Sequence, residues 1–268
     1  MAGHNKWSKI KHRKAVVDKR RGKVWTKCAK AIIVAARHGG ADPDTNLSLR
    51  YAIDEARYAN MPRDTIERAI KKGAGGEDTS AYESVRYEGY GPGGVAVMVD
   101  ALTDNRTRTA GDLRLIFTDH NGNLGAMGCV AFMFEPKGRI IVGPRPEDPD
   151  KPRKRGAAPD PTLSDDAMME LAINAGAEDA IAPQAGGDAE DPWVILTAVP
   201  DFLSVKQAIE EALKGTAHAV TDAALDMIPS TTVQIGGEAG ETLGELLEAI
   251  EDNDDVQKVY TNAEWGDA

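Results

Sequence analysis

A chain of 268 residues, 41% hydrophobic and 28% charged, has the apolar content for two or three packed cores and too much of it for wholesale disorder. No stretch approaches the roughly 18 apolar residues of a membrane span, no apolar run near the start resembles a secretory signal, and two cysteines, Cys28 and Cys129, cannot build a disulfide framework, so a reducing cytoplasm is the expected setting. The formal net charge of −11 conceals a segregation: residues 1–37 hold 12 basic residues and 1 acidic, whereas 3 basic residues face 24 acidic ones from Asp160 onward.

Helices come first in chain order. From Lys23 to His38 the apolar positions Val24, Cys28, Ala31, Ile32 and Ala35 follow helical spacing, and Gly39-Gly40 supply a stop. Asp42-Pro43-Asp44 opens a second helix, with Leu49, Ala52, Ile53 and Ala56 inward, that ends at Asn60. Pro62 suits the first turn of a third, which carries Ile66, Ala69 and Ile70 and closes on Lys71-Lys72-Gly73. These three helices form a first domain, residues 1–79.

The period then changes. "ESVRYEGYGPGGVAVMVDALT" reads as two strands joined by a Gly-Pro-Gly turn, and Asn105 to His120 as a helix with Leu113, Ile116 and Phe117 inward. Strands return at "CVAFMF" and "GRIIV", separated by a turn at Pro136-Lys137-Gly138. Gly143 to Pro161 combines prolines and charges, including Lys151, Arg153, Lys154 and Arg155, and is expected to be a mobile surface loop. After it come a helix (Ser164–Ala175), two strands (Glu178–Ala182, Trp193–Val199), a helix (Phe202–Lys214) and a strand (Val220–Ile228), which with "GRIIV" gives the ferredoxin-like order βαββαβ. "TTVQI", a helix around Leu243–Ile250 and the strand "VQKVYTN" close the chain, the last as a partner for the first hairpin.

Catalytic signatures are lacking. Gly89-Tyr-Gly91-Pro-Gly-Gly94 fits the dinucleotide pattern literally, but a strand follows it where a helix should start. No phosphate-binding GxxxxGK[ST] occurs, and His4, His12, His38, His120 and His218 neither pair at metal-ligand spacing nor sit beside cysteines. The cluster Glu251-Asp252-Asn253-Asp254-Asp255 lacks the spacing and central glycine of a calcium loop and reads as a solvated helix end. The expectation is a protein that is not an enzyme, with no cofactor, no metal, no membrane partner and no small-molecule substrate.

The basic opening points to nucleic acid. On a helix, Arg20, Lys23, Lys27 and Lys30 form one stripe beside the apolar face, able to neutralise phosphates. Upstream, Lys6, Lys9, Lys11, His12, Arg13 and Lys14 surround Trp7, whose indole could stack on an unpaired base. With Lys19 and Arg21 these residues make the candidate nucleic-acid-binding set; the plainer alternative is a solvated charged face with Trp7 packed on the helices. A second candidate patch is Arg106, Arg108 and Arg114 at a helix start, where amides could also hold a phosphate. The competing reading there is helix capping by Asp104 or Asn105.

The blocks "MAGHNKWSKIKHRKAVVDKRRGKVWTK", "AARHGGADPDTNLSLRYAIDEARYANMPRDTIERAIKKG", "YEGYGPGGVAVMVDALTDNRTRTAGDLR", "GNLGAMGCVAFMFEPKG" and "IPSTTVQI…DVQKVYTNAE" resemble the YebC/PmpR family from Met1 to Glu264. The resemblance implies a multidomain α+β protein: an N-terminal three-helix domain followed by two α+β domains, the ferredoxin-like one (130–229) inserted into the other (80–129 plus 230–268). It also implies a cytoplasmic DNA-binding transcriptional regulator, with no targeting segment added before Met1. Related mitochondrial proteins are translational activators of cytochrome c oxidase, and a ribosome-associated role at proline runs has been assigned to family members, so ribosomal RNA is the alternative target. The 143–161 loop is longer and more basic than the usual family connection, and Asn121 stands where the family commonly has glycine, a change expected to alter only a turn.

Overall fold

The structure, a computed structural model, describes residues 18–75, 82–146, 161–183 and 192–266, with side chains from Gly22 onward. The chain divides into two compact units, residues 1–135 with 228–268, and residues 136–227. Among the described residues no helix is long and apolar enough to cross a membrane.

The first unit begins with α1 (Asp18–Gly39), α2 (Leu47–Tyr58) and α3 (Arg63–Ala74). Their inward faces meet in a core of Ile32, Ala36, Leu49, Ile53, Ala56, Met61, Ile66 and Ala69, each large aliphatic side chain stabilising the fold by about 1.5–3 kcal/mol. The start of α2 differs from the expected one. Asn46 caps it, its side-chain oxygen accepting from the Leu49 N–H at 3.1 Å while its amide donates to Ala35 O and Gly40 O. Asp42 instead closes a preceding turn by accepting from the Asp44 N–H. At Gly73 α3 packs tightly on α1: a Cβ there would lie 2.4 Å from Ile33 O and 2.8 Å from the Ala36 Cβ.

The hairpin is as expected. β1 (Glu83–Tyr90) pairs antiparallel with β2 (Ala96–Thr103), from Glu83 opposite Thr103 to Tyr90 opposite Ala96, and Arg86 binds Asp100 across it with two hydrogen bonds of 2.7 and 2.9 Å. α4 (Arg106–Asp119) follows, then the short β3 (Asn123–Leu124). Between them Asn121 sits at φ +56°, a left-handed turn position that asparagine tolerates better than most residues.

The expected strand "CVAFMF" is not one. Residues up to Met133 form a loop and a single 3-10 turn, and β4 runs unbroken from Phe134 to Pro144, through the expected turn at Pro136-Lys137-Gly138. The cause is Glu88. Its buried carboxylate accepts from the N–H groups of Gly128, Val130 and Ala131, each at 2.8 Å, which removes those donors from any sheet. Burial pulls the Glu88 pKa up, but the three N–H donors outweigh it and hold the group below the ordinary carboxylate value. The loop so fixed carries Met127 and Phe132 into solvent, 80% and 73% exposed.

After the second unit the chain returns with β8 (Val233–Ile235), α7 (Gly237–Asp252), β9 (Val256–Thr261) and β10 (Ala263–Trp265). β9 pairs antiparallel with β2, completing the sheet β3-β1-β2-β9, and β10 lies parallel to β8. α4 and α7 cover this sheet through Leu113, Phe117, Leu243, Leu247 and Ile250 on Val97, Val99, Val256 and Val259.

The second unit is the ferredoxin-like βαββαβ: β4, α5 (Asp165–Ala175), β5 (Asp179–Ile181), β6 (Trp193–Thr197), α6 (Phe202–Ala212) and β7 (His218–Pro229), with sheet order β5-β6-β4-β7. Gly138 of β4 is packed against α6, since a Cβ would sit 2.5 Å from the Phe202 ring. Arg139 is held by Asp222 and Asp226 of β7. The start of the expected mobile loop belongs to the fold: β4 continues to Pro144, and the Arg145 guanidinium donates to the carbonyls of Leu213, Thr216 and His218. The basic run Lys151–Arg155 lies outside the described residues.

The close contact at Gly73 separates two glycine substitutions that helix propensity alone treats alike. Gly73→Ala is expected to lower unfolding stability by about 1–3 kcal/mol because backbone must move. Gly111→Ala in α4, where a Cβ meets nothing within 4 Å, is expected to raise it by up to about 1 kcal/mol. Urea denaturation of the two variants checks the contrast.

Candidate nucleic-acid interface

α1 presents the predicted stripe, because positions 23, 27 and 30 fall on one helix face. That face meets the carboxyl-terminal end of α7. Lys23 Nζ lies 3.1 Å from Asp252 Oδ1 and 3.4 Å from Asp252 O, and Lys27 Nζ donates to Glu251 O at 2.6 Å. Lys30 Nζ reaches Asp254 O at 3.1 Å, Asp255 Oδ1 at 3.2 Å and Leu102 O at 3.3 Å, and stands 5.1 Å from the centre of the Tyr82 ring. A helix end exposes unpaired carbonyls and a partial negative charge, which cations relieve. The last turn of α7 has acids and no basic residue of its own, so α1 supplies the cations from some 220 positions earlier in the chain.

Asp255 is the centre of this contact, 7% exposed. Its Oδ2 accepts from Arg108 Nη2 at 2.6 Å, and the hydroxyls of Thr109 and Thr103 lie 2.8 and 3.2 Å from the same oxygen. Burial pushes its pKa up, yet Arg108, Thr109 and Lys30 together outweigh that and hold it below the usual carboxylate value. The acidic run Glu251–Asp255 is thus only in part the solvated helix end its composition suggests: Asp252 and Asp254 are exposed, whereas Asp255 is buried and serves as a docking point. A further ion pair between Lys258 of β9 and Glu55 of α2 ties the same helical bundle to the sheet.

The second candidate patch is dispersed. Asn105 caps α4, its Oδ1 accepting from the Arg108 N–H at 3.0 Å, Arg106 pairs with Glu83 at 3.1 Å, and Arg108 bridges Asp104 and Asp255. The Arg114 side chain is exposed and makes no hydrogen bond or ion pair with the described residues. Lys6, Trp7, Lys9, Lys11, His12, Arg13 and Lys14 lie outside the described residues; Lys19, Arg20 and Arg21 lie within α1, their side chains outside the described set. Two exposed cations not singled out in the sequence, Arg50 of α2 and Lys71 of α3, also lack a hydrogen bond or ion pair from their side chains. Spacing alone would have hidden them, because Asp54 and Glu67 stand four positions away but pair with Arg57 and Arg63 instead.

Cys28, His38 and His120 are engaged in structure. Burial, reinforced by Glu55, pushes the Cys28 thiol up to about 11, and His38 and His120 each turn a ring nitrogen onto the carbonyl four residues back, at 3.0 and 2.8 Å. Among the described residues no group of three His, Cys, Asp or Glu side chains is placed to hold a metal ion.

Comparison with known proteins matches both parts of the chain. The model of the TACO1/YebC protein N-terminal domain matches residues 5–76, and that of the TACO1/YebC second and third domain matches residues 82–263. The chain belongs to the TACO1/YebC family. A TACO1/YebC relative from Desulforamulus reducens, named "Probable transcriptional regulatory protein", is 46% identical over 265 residues, 98% of this chain and 99% of its own. One of the same name from Pelotomaculum thermopropionicum is 47% identical over 267 residues, covering 100% of both chains. The crystal structure of a conserved hypothetical protein from Aquifex aeolicus superposes with a TM-score of 0.76 at 41% identity, over 94% of this chain and 93% of that one.

The Asp255 contact sets a pH dependence. A carboxylate with a depressed native pKa contributes its full stability above its unfolded value, near 4, and loses that contribution as pH falls through the native value. Asp255→Asn is expected to cost about 1–3 kcal/mol at neutral pH by leaving Lys30 and Arg108 without their counter-ion. The difference from the unaltered protein should close below about pH 4. Denaturant titrations of both proteins across that range measure it.

Proposed function

We propose that this chain is a non-enzymatic regulator of gene expression that acts in the cytoplasm by binding nucleic acid, using no cofactor or metal. One observation carries the reading: the first 37 residues bear a net +11 while the other 231 bear −22. Such segregation suits a basic element for a polyanion on an acidic body that resists indiscriminate association. The names given to the relatives agree with it and favour promoter DNA as the target.

The contacts of α1 refine which residues do the binding. Because Lys23 and Lys27 are engaged by α7 and Lys30 by the turn after it, the reading gives the principal phosphate contacts to Lys6, Lys9, Lys11, Arg13 and Lys14, continued by Lys19, Arg20 and Arg21, and leaves Arg114 as the accessible member of the second patch, since Arg106 and Arg108 are likewise held by acids. Trp7 among those cations favours a second reading, ribosomal RNA in a translation factor on the ribosome, since an indole stacks on unpaired bases and not on a closed duplex.

Salt titration against promoter-length duplex DNA, single-stranded RNA and purified ribosomes separates the two. Six neutralised phosphates on duplex give a log–log slope near −5. A base-sequence preference that survives moderate salt supports the promoter reading, whereas ribosome binding that outlasts both naked polymers supports the translational one. In either case, replacing Lys9, Lys11 and Lys14 with alanine is expected to make the duplex slope shallower by about 2 to 3. An unchanged slope would move the site away from the N-terminal segment.

A further inference from the structure

We propose that the carboxyl-terminal end of α7 is a built-in competitor for nucleic-acid phosphate, holding the ammonium groups of Lys23 and Lys27 and releasing that of Lys23 when a phosphodiester chain takes it. The inference rests on the nucleic-acid reading above and concerns how that surface is regulated.

The oxygens that meet the two amines resemble a phosphodiester in chemistry. They are the carboxylate and carbonyl of Asp252 and the carbonyl of Glu251, gathered at the negative end of a helix. The stripe is graded in accessibility. Lys23 and Asp252 have side chains 46% and 62% exposed, so their pairing is screened and easily exchanged. Lys30 and Asp255 are only 14% and 10% exposed, and the Asp255 carboxylate also holds Arg108 and Thr109. Lys30, and the half-buried Lys27 with it, therefore stay as the fixed end of the contact while Lys23 is the exchangeable part. α1 is continuous from Asp18, so Lys19, Arg20 and Arg21 lead along the same helix to Lys23.

Competition of this kind has a signature that simple charge removal lacks. Asp252→Asn, in the full chain, is expected to tighten binding to short single-stranded RNA and to duplex DNA of equal length about threefold at moderate salt, the factor withheld by an exposed ion pair of ordinary strength. The log–log salt slope should steepen by about 0.7 on the single strand and 0.9 on the duplex, for one phosphate gained. Glu238→Gln removes the same charge from the exposed opposite end of α7 and should leave the slope unchanged. Lys23→Ala should weaken binding more in the Asp252→Asn background than in the unaltered protein, because there the amine meets phosphate without first giving up a counter-ion.

Equal effects of Asp252→Asn and Glu238→Gln, or an equal cost of Lys23→Ala in both backgrounds, would overturn the inference while leaving nucleic-acid binding standing. Absence of binding to either polymer by every variant at low salt would overturn the nucleic-acid reading and this inference with it.

Discussion

Ammonium groups from α1 close the negative end of α7 and the turn just beyond it, Lys23 and Lys27 on the helix and Lys30 on Asp254 and Asp255. A helix whose last turn holds Glu248, Glu251 and Asp252 and no cation of its own carries its charges against its own dipole. Lys23, Lys27 and Lys30 reverse that penalty from outside the helix. Asp255, just beyond, is buried and would be costly as an isolated anion; Lys30 and Arg108 make it tolerable. Because Arg108 and Thr109 belong to the first turn of α4, the one carboxylate joins the basic opening, the middle and the end of the sequence.

That arrangement explains where uncompensated positive charge remains. Arg86 is bound to Asp100, Arg106 to Glu83, Arg139 to Asp222 and Asp226, and Lys258 to Glu55. The α+β parts thus use their few cations to hold strands and helices against one another, and the large acidic excess of the later sequence is left to face solvent. An acidic surface repels polyanions at distances up to about a Debye length of 8–10 Å.

Much of this architecture was legible because its signals are local. The Gly-Pro-Gly turn between two β-rich runs gives the hairpin, Asn105 caps α4 as its position suggests, and the alternation of periods along residues 136–227 gives the ferredoxin-like order, with β5-β6-β4-β7 the sheet that follows from it. What could not be read depends on distant partners. "CVAFMF" has the composition of a strand, yet Glu88, some 40 residues earlier, takes three of the loop's N–H groups. Periodicity put Lys23, Lys27 and Lys30 on one face correctly, but a helical period identifies a face without saying what it meets. The acids that meet it are more than 220 positions away, and their own composition is that of an ordinary exposed helix end.

The order of the strands also bears on how the protein is made. β2 lies between β1 and β9, and β9 is supplied only at Val256–Thr261, after the whole of the second unit. During synthesis, residues 136–227 can therefore reach their native topology while the first sheet still lacks one edge and Asp255 is still absent from its pocket. The hairpin of β1 and β2 must wait, with the hydrogen-bonding edge of β2 open, for a segment near the end of the chain. Pairings of such sequence separation form slowly and leave strand edges open to wrong partners. Chain elongation, and not the intrinsic speed of local folding, sets the earliest moment at which the basic helix can find the acidic end it is built to hold.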